Sequence, residues 1–282
     1  MMAEQSLYRR RVLVALDPCE VDPADFEASA RLAAGLNAEL VALFVEDSDL
    51  IAAADLPVTH LIPAGCQQLA ALDAGAMRRA FRVAEGRARE HLSDAAERWH
   101  LDWSFEVTEV RRAAETMASL KREDFLALAS ATGRRAVISR RSAAVHAERA
   151  PCPVLLLRRN GGRDSRRGQP VSVLYEGEES ALVLGRDLAR AYDSPLLVLV
   201  AGEGDAALAA RKAEAERWLA ASGTTGVAQR ITARDTAGIG RLLCEVDAGL
   251  VVVDHRAGVG GGLDIDALTK QTRASIVVLG LG

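Results

Sequence analysis

The 282-residue sequence lacks the features of several common protein classes. It has no basic excess: 35 Lys and Arg residues face 39 Asp and Glu residues, and the net charge is −4. Proteins that bind nucleic acid or anionic membranes usually carry surplus basic charge. No apolar run approaches the roughly 18 residues of a membrane-spanning helix. Residues 1–11 have charges but no apolar stretch after them, which argues against a secretory signal. We therefore expect a cytoplasmic globular protein with no nucleic-acid or membrane partner.

Cysteine and histidine are few and scattered. The cysteines (Cys19, Cys66, Cys152 and Cys244) form no CxxC pair, which is typical of a reducing compartment rather than a disulfide framework. Cys152 and Cys244 are predicted to be buried packing residues, and Glu20 beside Cys19 argues against a reactive thiolate there. The five histidines show neither H-x3-H nor H-E-x-x-H spacing, so no metal site is predicted.

The chain contains two copies of one pattern. Each copy opens with a short apolar strand, at 12–16 and 171–175, and continues with a helix and a second strand. In the first copy, Asp22 and Pro23 are typical of a helix N-cap and first helical position. Residues 32–45 align without a gap with residues 188–201, at a constant offset of 156 positions. The repeat predicts two units of the same architecture.

The agreement between the copies continues downstream. Each copy adds an amphipathic helix (77–99; 206–221), a strand (103–108; 227–232), a helix (113–122; 236–245) and two apolar strands (125–129 and 154–157; 250–253 and 276–279). Continuously apolar strands that alternate with helices predict parallel sheets covered on both faces. The predicted fold class is α/β, with two tandem doubly wound five-stranded parallel-sheet domains. We place them at 1–159, with an insertion at about 47–75, and at 171–282, joined by a polar, glycine-rich linker at 160–170; their net charges are −2, −4 and, for the linker, +2.

The residues that open and close the first copy resemble the universal stress protein family. The motifs are Val-Leu-Val-Ala-Leu-Asp at 12–17, Glu-Asp-Phe-Leu-Ala-Leu at 123–128 and Ala-Pro-Cys-Pro-Val at 150–154. The resemblance covers nearly the whole chain as a tandem pair. It implies an adenine nucleotide alpha hydrolase-like fold in a cytoplasmic protein induced by stress or growth arrest. It also implies that the last strands of the two halves pair antiparallel, as an internal pseudo-dimer, and leaves a further homodimer open.

Many family members bind ATP through an Asp after the first strand and a glycine loop after the fourth. That loop reads Gly, two residues, Gly, nine residues, Gly and then Ser or Thr; other members lack it. In the first half Asp17 is present, but only Gly133 remains of the loop, and an arginine stands at the last glycine position. The resemblance implies these candidate nucleotide-binding residues: Asp17, Val45, Gly133, Arg134, Arg140 and Arg141. A cluster of arginines (Arg134, Arg135, Arg140, Arg141 and Arg149) either attracts an anion by charge or forms a solvated basic face.

In the second half, Tyr175 and Glu176 stand where the family has its Asp. The loop after the fourth strand is shorter than the family's and contains four glycines, which are the candidates Gly258, Gly260, Gly261 and Gly262. This run either cradles phosphate with its backbone N–H groups or forms a tight turn, and we favour the turn. Nearby glutamates, including Glu176 and Glu178, would repel a triphosphate without Mg²⁺. His255 beside Asp254 is interpreted as a polar loop residue, since no nucleophile accompanies it.

The leading hypothesis is a non-catalytic stress-response protein that acts through unidentified protein partners, with weak or lost nucleotide binding. The alternative is an ATP-binding switch or slow ATPase that uses ATP with Mg²⁺ at one surviving site. No set of nucleophile, base and orienting residue predicts a metabolic enzyme. The insertion at 47–75 is interpreted either as a lid or partner surface, or as a cover for the sheet edge or the other half through its apolar residues (Leu50, Ile51, Leu56, Val58, Leu61 and Ile62).

Overall fold

The fold was analysed in a computed structural model that describes residues 10–16, 21–46, 48–56, 60–61, 70–71, 74–129, 150–157, 168–256 and 258–280. The strands are β1 (Arg11–Leu16), β2 (Glu39–Glu46), β3 (His60–Leu61), β4 (Ala70–Ala71), β5 (Trp103–Glu109), β6 (Phe125–Ala129), β7 (Val154–Leu157), β8 (Val171–Tyr175), β9 (Leu196–Val200), β10 (Gly226–Arg230), β11 (Leu250–Asp254) and β12 (Ser275–Leu279). The helices are α1 (Pro23–Gly35), α2 (Ser48–Ala54), α3 (Ala74–Trp99), α4 (Val110–Ala118), α5 (Glu179–Ala191), α6 (Asp205–Ser222), α7 (Thr236–Glu245), α8 (Gly258–Gly261) and α9 (Ile265–Gln271).

Ten of the strands form one sheet, in the order β10-β9-β8-β11-β12-β7-β6-β1-β2-β5. Strands are parallel within each half. The first strand of each half lies inside the sheet: β1 is between β2 and β6, and β8 is between β9 and β11. The predicted class, two five-stranded doubly wound α/β units in tandem, is confirmed. The halves join through β7 and β12, which pair antiparallel with Leu155 opposite Val277. This is the pairing that the family resemblance implied.

The repeat extends to the backbone conformation at helix ends. Asn37 and Asp193 are 156 positions apart, and both adopt the left-handed conformation, with φ of 50° and 48°. Asn and Asp tolerate this region better than most side chains do. At the other end of α1, the Asp22 carboxylate accepts a hydrogen bond from Ala24 N, with Pro23 at the first helical position. The predicted cap is confirmed.

The sheet carries an apolar core on each face, and each core extends across both halves. Along β2, Leu40, Ala42 and Phe44 face one core, whereas Val41, Leu43 and Val45 face the other. Because successive side chains of a strand point to opposite faces, a strand covered on both sides must be apolar throughout. This explains why the central strands have no polar alternation.

The first helices of the two halves pack against each other. Gly35 of α1 lies against Ala191 of α5, where a Cβ on Gly35 would come within 2.1 Å of the Ala191 Cβ. The Arg31 guanidinium, buried beside them, donates a hydrogen bond to the Tyr192 carbonyl at 2.7 Å and lies over the Tyr192 ring. Tyr192 in turn donates its hydroxyl proton to the Ala28 carbonyl. The halves are therefore joined by side-chain packing as well as by the β7–β12 pair.

Asp124 joins the turn before β6 to the start of β1, at the amino-terminal end of the first-half sheet. Its buried carboxylate accepts hydrogen bonds from the backbone N–H groups of Arg11 and Lys121, both at 2.9 Å, and from the Arg11 guanidinium at 3.0 Å. These bonds fix the turn that enters β6. They also explain a wrong boundary: the third helix of this half was predicted at 113–122, but α4 ends at Ala118, before this turn.

The insertion between β2 and α3 forms α2 and a short antiparallel β3–β4 pair. Its helix packs on α3, where Asp55 accepts a salt bridge from Arg78 at 2.8 Å. The prediction that its apolar residues cover the sheet is wrong for Leu56, which is 56% exposed because it follows the end of α2. Ile51 is half-buried, and the side chains of Leu50, Val58, Leu61 and Ile62 lie outside the described part of the chain.

Two cysteines lie in very different surroundings. Cys152 is buried, as predicted, and burial together with the negative charge of Asp124 raises its pKa to about 12. The prediction for Cys244 is wrong: it lies on an exposed face of α7, with its Sγ 3.4 Å from the Gln271 carbonyl. Cys19 and Cys66 fall outside the described residues.

We expect a thiol-alkylating reagent at mildly alkaline pH to label Cys244 in the native protein and to leave Cys152 unlabelled. Cys152 is protonated below its raised pKa and is shielded from the reagent, and only the thiolate reacts. Peptide-resolved mass spectrometry measures each site separately. Labelling in denaturant, where both sites become accessible, is the control, and rapid native labelling of Cys152 would contradict the packing described here.

Candidate functional site

The carboxyl ends of β8 and β11 form a cleft in the second half. These strands are neighbours at the point where the strand order reverses, which is where open α/β sheets bind ligands. The cleft has a volume of about 350 Å³. Its lining is a mixture of acidic, basic and apolar side chains (Leu174, Glu176, Glu178, Ala181, Arg211, Asp254 and Arg256).

Glu176 binds the backbone of the glycine-rich loop. Its two carboxylate oxygens accept hydrogen bonds from Val259 N at 2.7 Å and Gly260 N at 2.9 Å. An anion that meets adjacent N–H groups is the arrangement by which such loops hold phosphate oxygens. In this chain the anion is one of its own carboxylates.

Strand register makes Glu176 the counterpart of Asp17. Val12 pairs with Leu40 and Val171 pairs with Leu196, and Leu40 and Leu196 are related by the 156-residue offset. Five residues after Val12 the chain has Asp17, and five residues after Val171 it has Glu176, so an acidic residue follows the first strand of each half. The second half thus carries the longer carboxylate at this position, and the structure shows it reaching the glycine loop.

The glycine run folds as the short helix α8 rather than as an extended loop. A Cβ on Gly260 would lie 2.1 Å from the Asp254 carbonyl oxygen, so only glycine fits so close to the end of β11. Gly261 is less crowded, with the His255 carbonyl oxygen 3.4 Å from its would-be Cβ, and Gly262 N donates to the Val259 carbonyl. Close packing therefore accounts for Gly260 without a ligand.

Asp254 and Arg256 form a tight pair on the cleft wall. The Arg256 Nε donates to Asp254 Oδ1 at 2.8 Å, its Nη2 contacts Oδ2, and its backbone N–H also donates to Oδ1. This hydrogen bonding raises the pKa of Arg256. Arg256 Nη2 also donates to Ser180 Oγ at 3.1 Å, which links the loop to the start of α5. Most of the charge of Arg256 is therefore neutralised within the protein.

A second set of contacts joins the buried Tyr175 to residues of α6 beside the cleft. Burial, followed by the charge and hydrogen bond of the Glu214 carboxylate, raises the pKa of Tyr175 to about 12. Arg211, on the same helix as Glu214, donates to the Ala201 carbonyl at 3.1 Å and lies against Gly202. These contacts hold α6 against the strand ends. His255 places its Nδ1 3.0 Å from the Gly260 carbonyl, so its ring belongs to the loop structure.

Sequence reasoning missed three residues of this site: Ser180, Arg211 and Glu214. Each lies on a helix and belongs to no motif. Arg211 and Glu214 do stand one helical turn apart on α6, but that spacing is common on solvated helices. Only the packing of α6 against the carboxyl ends of the strands brings them to the cleft.

The first-half candidates are mostly outside the described part of the chain. This applies to Asp17, Gly133, Arg134, Arg140 and Arg141, and also to the other arginines of that cluster. Val45 is described: it lies near the end of β2, fully buried in the core. Within the described ranges, no group of three or more His, Cys, Asp and Glu side chains could hold a metal ion. No helix in the same ranges is long and apolar enough to cross a bilayer.

Comparison with known proteins defines the fold. No protein-family profile and no curated protein sequence matches the chain. Among solved structures, a universal stress protein from Archaeoglobus fulgidus has a TM-score of 0.62 at 14% identity and covers 96% of both chains. A putative universal stress protein from Pseudomonas aeruginosa has a TM-score of 0.56 at 16% identity, covering 96% of this chain and 93% of its own. The cytoplasmic domain of a prokaryotic cation chloride cotransporter has a TM-score of 0.51 at 11% identity, covering 96% and 95%.

These likenesses extend over nearly the full length of each chain, so they include both halves and their arrangement. The chain therefore has the universal stress protein fold, with two units in tandem. The resemblance noted from the sequence is confirmed at the level of fold. Sequence identities of 11–16% carry no information on ligands.

Proposed function

We propose that the chain is a tandem universal stress protein that acts without catalysis, through protein partners, and that its second half does not bind nucleotide. The observation that carries this proposal is the Glu176 carboxylate, which accepts hydrogen bonds from Val259 N and Gly260 N. A nucleotide phosphate would need the same donors. It would have to displace a carboxylate that is covalently part of the chain and therefore always at high local concentration.

The charges around the cleft support the same conclusion. Asp254 and Arg256 neutralise each other, and Arg211 is engaged with the Ala201 carbonyl. Glu178 remains exposed at the cleft mouth and adds negative charge. A triphosphate entering here would meet the like charges of Glu176 and Glu178.

We propose domains at 1–159 and 171–282 with a linker at 160–170, and a cytoplasmic location. The mixed charge of the exposed surface supports protein rather than nucleic-acid partners, since the net charge is −4.

The alternative is a nucleotide-binding switch or slow ATPase based on the first half. One observation favours it: at the position of Glu176 the first half carries the shorter Asp17. A nucleotide site in the first half would use ATP with Mg²⁺. The two proposals differ in a measurable way, because only the alternative requires nucleotide affinity.

We expect isothermal titration of the purified chain with ATP and Mg²⁺ to give no saturable heat, and millimolar ATP to leave the unfolding temperature unchanged. A ligand that binds only the folded state at a hundred times its Kd would stabilise it by about 2.7 kcal/mol, so tight binding could not be missed. Absorbance after extraction first checks that no nucleotide co-purifies.

Micromolar binding with a stoichiometry near one would contradict the proposal. Asp17→Ala then distinguishes the halves: loss of the heat would place the nucleotide in the first half and support the alternative. Retention of the heat would place it in the second half, against Glu176. Gly260→Arg is not a useful test, because any side chain at Gly260 would collide with the end of β11.

A further inference from the structure

The ten-stranded sheet ends in two edge strands, β5 in the first half and β10 in the second. Within the described residues, each pairs on one side only. In β10 the backbone groups of alternate residues face β9: Thr225 O accepts from Leu196 N, and Ile231 N donates to Val200 O. Gly226, Ala228 and Arg230 therefore direct their N–H and C=O groups away from the sheet. Such an edge is a template for pairing with another strand.

The internal repeat allows the two edges to be compared position by position. Trp103 pairs with Leu40 and Gly226 pairs with Leu196, so Trp103 and Gly226 are equivalent. It follows that Ser104 corresponds to Val227 and Glu106 to Gln229. At these positions the first half carries a polar and a charged side chain, whereas the second half carries two uncharged ones.

The β5 edge is protected against pairing with itself. In the full-length antiparallel register, Glu106 of one copy would lie directly opposite Glu106 of the other, and like charges directly opposite destabilise a strand pair. The Arg89 guanidinium lies over the Phe105 ring, with 4.3 Å from Cζ to the ring centroid. Ser104 is held by a hydrogen bond to Glu39. Charged and covered edges are the usual means by which sheets avoid association.

Among the residues that the structure describes, none gives the β10 edge such protection. Val227 is 65% exposed, the highest value among the large apolar side chains of the described chain. The only charged residue of the strand is Arg230, at its end. In the full-length antiparallel register with a second copy, Ala228 faces Ala228 and the two arginines are at opposite ends. Each Arg230 then lies opposite Gly226, which has no side chain to clash with it.

We propose that β10 is a homodimer interface, in which two copies of the chain pair their β10 strands antiparallel about a twofold axis that passes between the two Ala228 residues. The outward-facing N–H and C=O groups of Ala228, Gly226 and Arg230 form the intermolecular ladder. On the other face of the sheet, Val227 of one copy packs beside Gln229 of the other and removes its exposed apolar surface from water. The strand is self-complementary in its backbone, as a twofold interface requires, and this register keeps the two Arg230 charges at opposite ends.

The test is the mass of the purified chain in solution, by sedimentation velocity across a wide range of protein concentrations. The wild type is expected as a dimer of twice 30.0 kDa at high concentration. Val227→Glu is expected to weaken dimerisation about tenfold or more, because it places a charge on both sides of the axis. Val107→Glu, a matched change at an exposed valine of β5, is expected to dimerise as the wild type does.

A second pair of variants tests the backbone ladder. Arg230→Pro removes an outward N–H, and proline is tolerated on an edge strand whose N–H faces away from the sheet. Arg230→Ala removes the same side chain but keeps the N–H. We expect the proline variant to dissociate and the alanine variant to remain dimeric, with unchanged circular dichroism in both. The proposal would be overturned if the wild type were monomeric. It would also be overturned if Val227→Glu and Arg230→Pro remained dimeric, or if Val107→Glu lost the dimer.

Discussion

Asp124→Ala is expected to lower the free energy of unfolding by about 3 kcal/mol. The substitution leaves the backbone N–H groups of Arg11 and Lys121 without their acceptor in a site where the carboxylate is buried. It also removes the salt bridge between the Arg11 guanidinium and Asp124. Urea denaturation followed by circular dichroism measures the effect through the midpoint, with the denaturant dependence unchanged.

Two variants serve as controls for this prediction. Asp124→Asn keeps an oxygen acceptor and loses the charge, so it should lie between the wild type and the alanine variant. Asp94→Ala removes an exposed carboxylate from α3 and should change stability by less than about 0.5 kcal/mol. Equal stabilities for Asp124→Ala and Asp94→Ala would show that Asp124 does not fasten the turn into β6.

Gly35→Ala is expected to destabilise the protein by about 2 kcal/mol, although alanine is the better helix former. The new Cβ would come within 2.1 Å of the Ala191 Cβ, so α1 and α5 must separate. Their separation weakens the buried contact between Arg31 and Tyr192. The loss of stability would therefore measure how tightly the two halves are joined.

The double variant Gly35→Ala with Ala191→Gly provides the matched test. It exchanges the two residues across the contact and removes the Cβ–Cβ overlap, but the new Cβ would still lie 2.3 Å from the Cα of residue 191, so it should recover only part of the lost stability. The coupling free energy from the double-mutant cycle should have the stabilising sign, because the double variant lacks the Cβ–Cβ overlap. Purely additive effects of the two substitutions would contradict direct packing of α1 on α5.

The strands were the most predictable part of the fold. They are continuous apolar runs, and the repeat places each strand of one half on its counterpart in the other. Asn37 and Asp193, which the repeat aligns, also share a left-handed backbone conformation. Local sequence is enough here because burial on both faces demands apolar residues at every position.

The errors concern features that depend on distant partners. The third helix of the first half was placed too late in the chain, because Asp124 holds the following turn through Arg11, 113 residues away. Cys244 was predicted buried from its place in an amphipathic helix, but it lies on the exposed side of α7. Leu56 was predicted to cover the sheet but is exposed, because it follows the end of α2. The apolar pattern of a sequence does not show where a helix ends relative to its neighbours in the fold.

The candidate site was predictable in location but not in chemistry. The α/β topology predicts that ligands bind at the carboxyl ends of the strands, and the glycine run predicts the position of the loop after β11. The contact that decides the chemistry joins Glu176 to backbone groups 83 and 84 residues later. The sequence indicated repulsion of a triphosphate by the glutamates, whereas the structure shows one of them bonded to the donors themselves. Arg211 and Glu214 could not be found, because no motif contains them.

The central claim is that the glycine loop of the second half is already occupied by Glu176. The most direct measurement is an NMR titration of the labelled wild-type chain with ATP and Mg²⁺, following the amide resonances of Val259 and Gly260. The account predicts that both resonances stay in place at millimolar ATP, and that both shift in Glu176→Gln, where the acceptor loses its charge. Saturable shifts of both resonances on addition of ATP to the wild type would show that a nucleotide displaces the carboxylate, and would contradict the account.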